Sequence, residues 1–160
     1  MKEYRDNSAI GALLDEYERA ILELIKVISD ISNDELTSIV DKETKDLDYV
    51  SIQTILTHVV SSGYGYAVVI RKYLGETIDY VEREKLDTVQ AYTQALKKMF
   101  AFNEQLFQDY PNLKLEEMES GKKILVRWGQ LYDVEQLFEH AIVHILRHRR
   151  QIERFLLKLR

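Results

Sequence analysis

The stretch Asp133-Val-Glu-Gln-Leu-Phe-Glu-His140-Ala-Ile-Val-His144-Ile-Leu-Arg-His148-Arg-Arg-Gln151-Ile152 decides how the chain is read. Asp133, with Gln136 three residues later, is a capping-box signature, so a helix opens here, and its apolar pattern carries it to Leu159. Helical residues advance by about 100° each. That places Leu137, Ala141, His144, His148, Ile152, Phe155 and Leu159 on one stripe, while Glu139, Arg147, Arg150 and Arg154 fall largely elsewhere. Two histidines therefore occupy positions where a core would call for leucine. His140 lies about 60° off the stripe, at its edge.

Working outward, three more long amphipathic segments emerge. The first runs from Ser8, a plausible N-cap, to about Ile31, with Ile10, Leu13, Leu14, Tyr17, Ile21, Leu24 and Ile28 at helical spacing. A polar connection from Ser32 to Val50 follows, with room for a turn of helix around Asp34 to Val40. Ser51 caps a second helix that carries Ile52, Ile55, Leu56, Val59, Ile70 and Leu74 and stops at Gly75. A third begins near Asp87 or Thr88 and ends at Tyr110, because Pro111 cannot continue it. From Pro111 to Tyr132 the pattern is irregular, with Lys123 to Trp128 a short extended piece. Four such helices predict an all-α chain, a four-helix bundle in one domain spanning residues 1–160. The long connections between the first and second helices and between the third and fourth leave room for crossovers.

Bulk composition agrees and excludes several classes of function. The 160 residues suffice for a core. One proline and six glycines leave long stretches free to be helical. A formal net charge of −5 argues against general affinity for nucleic acid. The basic residues Arg147, Arg149, Arg150, Arg154, Lys158 and Arg160 suit the end of a helix, where cations complement its dipole. The longest apolar run, Ala67 to Ile70, is too short for a membrane span. The amino terminus lacks the apolar segment of a signal peptide, so a cytoplasmic location is expected. Without cysteine there is no thiolate nucleophile, disulfide or Cys-ligated zinc, and any metal would be held by nitrogen and oxygen.

His144 and His148 admit two readings. They could be core histidines satisfied by carbonyls or carboxylates. However, their ring nitrogens converge, and a buried polar group without a partner costs roughly 1–3 kcal/mol. A divalent cation taking one nitrogen from each ring would remove that cost. Two imidazoles do not complete a site. The only histidine outside the last helix, His58, sits off the centre of its own apolar face near Ser62, and is either a boundary residue or the third ligand. Zinc-protease spacing fails because Ala141 and Ile145 stand where glutamate is required. The carboxylate-bridged di-iron pattern fails for want of Glu-x-x-His pairs. An all-histidine site on two helices remains. Ser62 and Tyr66, one and two turns beyond His58, and Trp128 before the last helix are candidate wall residues, although packing is the stronger reading for Tyr66 and for Trp128. Gly63 and Gly65 cost helix stability unless backbone packs closely there.

Three motifs together carry a resemblance. They are Ser51-Ile-x-x-Ile-Leu-x-His58, the lead-in Gly129-Gln-Leu-Tyr-Asp-Val-Glu-Gln136, and His144-x-x-x-His148-Arg-x-Gln-Ile152. In order and separation they resemble the DinB/YfiT-like family of metal-dependent bundle proteins, over most of the chain. The resemblance implies an up-down-down-up four-helix bundle, a homodimer, and a divalent ion, nickel or zinc, on His58, His144 and His148. It also implies a small-molecule substrate handled by a low-molecular-weight-thiol S-transferase or a hydrolase. Arg149 departs from the family, where glycine is common. His140 is not a matched ligand, and no catalytic residue beyond the ligands is identified. The competing expectation is a non-catalytic, stress-related dimeric bundle whose metal is structural or adventitious.

Overall fold

Polar residues at the ends of the apolar repeats cap the long helices. In the computed structural model, which describes residues 4–6 and 8–160, these helices are α1 (Ala9–Ile28), α3 (Ile52–Tyr73), α4 (Val89–Asp109) and α5 (Val134–Leu159). Ser8, Ser51, Thr88 and Asp133 each accept a hydrogen bond from a backbone N–H in the first turn. Such a cap contributes about 1 kcal/mol. Ser51 with Thr54 and Asp133 with Gln136 form reciprocal boxes. Gly75 follows α3 at φ 95°, a left-handed conformation that a side chain disfavours. The expected turn of helix in the first connection is α2, which spans Asn33–Thr37 and is capped by Ser32.

The chain is mostly helical with a small two-stranded sheet. The irregular region before α5 closes into a hairpin, shorter than the extended piece the sequence suggests. Its strands β1 (Ile124–Leu125) and β2 (Leu131–Tyr132) pair antiparallel, Ile124 opposite Tyr132. Gly129 supplies φ 87° in the turn between them. β2 runs directly into the Asp133 cap, which fixes the hairpin against the start of α5.

The packing forms a ring: α1 lies against α5 and α4, and α3 against α4 and α5. Tyr17, Tyr92, Phe138, Ile21, Leu24, Ile55 and Leu96 are fully buried between them. Tyr17 meets Phe100 and Phe138 edge-on, at 5.7 and 6.2 Å between ring centroids. α3 and α4 approach closely at Gly63, where an added Cβ would lie 2.3 Å from Met99 Sδ and where Asn103 Nδ2 donates to the Gly63 carbonyl. Gly65, by contrast, faces open space.

Two connections are fastened along α3. The Tyr92 hydroxyl pairs with Thr57 Oγ1 at 2.6 Å and accepts from Leu86 N, while Gln53 donates to the Leu86 carbonyl. The chain from Gly75 to Thr88 is thereby held beside the first turns of α3. On the other side, residues Leu47–Tyr49 make a 3-10 turn immediately before α3, and Val40 N donates to Val50 O. Among the described residues no helix is long and apolar enough to cross a membrane.

Candidate metal centre

The i, i+4 spacing on α5 and the packing of α3 against α5 bring His58, His144 and His148 together. Their closest ring nitrogens all lie within 4.8 Å of one another, and they form a group that could hold a metal ion. His144 Nε2 is 2.9 Å from His58 Nε2 and 3.2 Å from His148 Nε2. His148 is buried, as its place on the stripe requires. His58 and His144 are half-buried.

The outward nitrogens explain the orientation of the rings. Gln151 Oε1 lies 3.0 Å from His148 Nδ1, and accepting there requires a proton on Nδ1. Asp48 Oδ2 lies 3.3 Å from His58 Nδ1. This contact is within ion-pair distance but off the ring N–H axis, so Nδ1 has no aligned hydrogen bond; the carboxylate's field still favours the proton there. With Nδ1 protonated, His58 and His148 both aim Nε2 lone pairs at His144 Nε2. One proton on that atom can serve only one of them. A cation satisfies all three lone pairs at once. Ligand nitrogens about 2.0–2.1 Å from a shared ion, at angles between square and tetrahedral, stand about 2.9–3.3 Å apart. The two close separations fall in that range, and the three nitrogens form a group that could hold a divalent ion. Acceptors behind ligating imidazoles, as Gln151 and Asp48 are placed, are a general feature of such centres.

Electrostatics keep the rings in the ligand form. Burial lowers His144 to about 2, reinforced by the proximity of His148, His58, His140 and Arg147. Burial also lowers His148 to about 4, against the opposing pull of Gln151. His58 is lowered too, because its desolvation outweighs Asp48. At neutral pH all three are uncharged and carry a free lone pair.

Three residues with no helical periodicity to mark them complete the surroundings. Tyr49, in the turn before α3, stacks on His148 at 5.5 Å between centroids, and its hydroxyl lies 3.5 Å from His58 Nε2. Asp48, beside it, is held by Arg83 Nη1 at 2.6 and 2.7 Å from its two oxygens. Arg83 comes from the connection that Tyr92 anchors. Gln151 did have a sequence signal, three residues after His148 and inside the quoted motif.

On the opposite flank Tyr66 is buried against His144, 5.9 Å between centroids and nearly perpendicular. His140 is half-buried at the edge, as its helical phase requires. Trp128 stacks on it at 4.9 Å between centroids and 24°. Tyr66, Trp128, Ser62 and Gly65 line a cavity of about 440 Å3, and Tyr66 stands between it and His144. Another cavity of about 450 Å3, between the end of α4 and the hairpin, includes none of the histidines in its lining. Arg149, where the resemblance expects glycine, points away from the triad and pairs with Glu23 on α1 and Glu153 on α5. No protein-family model and no curated protein matches the chain.

Proposed function

We propose that the chain is a divalent-metal-binding protein of the DinB/YfiT-like kind, a four-helix bundle in up-down-down-up order with nickel or zinc on His58, His144 and His148. The observation that carries this reading is the convergence of three imidazole Nε2 atoms whose outward nitrogens face Gln151 and Asp48. The ring of contacts among α1, α3, α4 and α5 supports the bundle, and the three motifs support its kinship.

The proposed activity is that of a metal-dependent enzyme, a small-thiol S-transferase or a hydrolase acting in the cytoplasm as a homodimer. A divalent ion would supply Lewis acidity, lowering the pKa of a thiol or water and polarising an electrophile. The chain's own residues supply the rest. Gln151 and Asp48 orient the ligand rings, and Arg83 holds Asp48 in place. Tyr49 shields one side of the triad, and Tyr66 and Trp128 separate the other from solvent. Since the chain has no cysteine, a thiol nucleophile would arrive as a cosubstrate.

Elemental analysis of purified wild type beside His58→Ala and His148→Ala tests the centre. About one divalent ion per chain is expected in the wild type, with loss in both variants. A wild type that neither retains nor takes up nickel or zinc refutes the reading. Turnover of a thiol with a panel of electrophiles and hydrolysable esters tests the enzymatic half. Bound metal without metal-dependent turnover leaves a structural centre and refutes that half.

A further inference from the structure

The cavity beside Tyr66 has a composition the metal centre does not explain. Its lining contains two arginines, Arg83 and Arg127, and no acidic side chain, in a chain whose net charge is −5. Arg83 is committed to Asp48. Arg127 has no carboxylate partner among the described residues. Its guanidinium lies over the Tyr80 ring, 5.0 Å from the centroid, with the Lys72 ammonium 5.3 Å from the same ring. A cation–π contact of this kind leaves the guanidinium N–H groups free for a planar anion. The remaining walls are apolar or aromatic: Tyr66, Val69, Val81, Val126 and Trp128. Ser61 and Ser62 add hydroxyls on the α3 side. A volume of about 440 Å3 suits a small molecule.

We propose that this cavity binds a small organic carboxylate with an apolar or aromatic body, Arg127 taking the carboxylate and the Tyr66–Trp128 wall taking the body. The inference rests on the metal-centre reading, because it names the substrate class that would be presented across Tyr66 to the triad. An Arg–carboxylate pair is bidentate and directional, so it orients the ligand as well as attracting it. The hairpin turn that carries Arg127 and Trp128 makes one wall, and the Tyr92-anchored connection carrying Tyr80, Val81 and Arg83 makes the other.

Trp128 is the only tryptophan in the sequence, so its fluorescence reports this cavity alone. The probes are 3-phenylpropionate and its neutral amide, titrated into wild-type protein whose metal content is measured on the same sample. The acid is expected to bind at least about ten-fold more tightly than the amide. Arg127→Gln should remove that preference while leaving the circular dichroism unchanged, and Arg147→Gln, outside the cavity, should retain it. Equal binding of acid and amide to the wild type, or no saturable signal with either, overturns the proposal without relying on any variant. So does loss of the preference in Arg147→Gln but not in Arg127→Gln. The two readings fail separately. An Arg127-dependent acid preference in protein that takes up no metal overturns the metal centre and supports the carboxylate site. Stoichiometric metal with no acid preference does the reverse.

Discussion

Acidification of the metal-free protein gives a quantitative test of how His144 and His148 are held. Their folded-state values, about 2 and about 4, lie below the ordinary histidine value near 6.5. Above that value both residues are neutral in the folded and unfolded chains, and neither contributes a pH dependence. As pH falls through it, the unfolded chain takes up two protons that the folded chain refuses, so stability falls with pH. Between pH 6 and pH 5 the loss depends only on both folded values lying below 5. It amounts to about 1.2 kcal/mol per residue, or about 2.4 kcal/mol for the pair. For a chain of this size that lowers the urea midpoint by about 1 M, with the slope unchanged. The assay is urea unfolding followed by circular dichroism in the presence of EDTA, at both pH values. The reference is the His144→Leu/His148→Leu double variant, which keeps every other titrating group, including the Glu35–Arg160 pair. Its midpoint should move far less over the same interval. Equal shifts in wild type and double variant would refute the argument that these rings are buried in neutral form.

Other expectations follow from single contacts. Gln151→Leu and Asp48→Asn should each weaken metal affinity by about 10–100-fold, measured by competition with a chelating dye, because the first removes the acceptor behind His148 and the second removes the charge that favours the proton on His58 Nδ1; unchanged affinity in both would mean those contacts do not prepare the rings as ligands. Saturating zinc at 100 times its dissociation constant should stabilise the wild type by about 2.7 kcal/mol in calorimetry but leave His148→Ala unmoved. Gly63→Ala should destabilise, because overpacking against Met99 costs about 1–3 kcal/mol and outweighs the helix propensity gained. Gly65→Ala meets nothing within 4 Å and should be neutral or stabilising by up to about 1 kcal/mol, and chemical denaturation of the two variants side by side checks the contrast. Tyr92→Phe should cost about 1–3 kcal/mol in the same assay, since it strips partners from Thr57 and the Leu86 N–H.

Much of the local structure was legible because it depends on near neighbours. A Ser, Thr or Asp cap needs only the N–H groups two or three residues ahead. Hence Ser8, Ser51 and Asp133 could be recognised as helix starts, Thr88 as one of two candidates beside Asp87, and the Asp133–Gln136 box could be identified from spacing. The His144–His148 pair was legible for the same reason, since residues four apart on a helix share a face whatever surrounds them. Gly63 and Gly65 show where that legibility stops. They look alike in sequence, yet one is required by the Met99 contact and the other borders the cavity.

The sequence by itself therefore determined the helices, their caps and one half of a candidate site on α5. Tertiary structure decided the other half. His58 reaches His144 across 86 positions of chain only because α3 packs on α5. Asp48 and Tyr49 reach the triad because the turn before α3 is folded back over it. Arg83 reaches Asp48 because Tyr92, buried on α4, fastens the intervening connection to α3. Asp48, Tyr49 and Arg83 belong to no periodic pattern. Their positions follow from packing between elements distant in sequence, and short-range spacing carries no information about that packing.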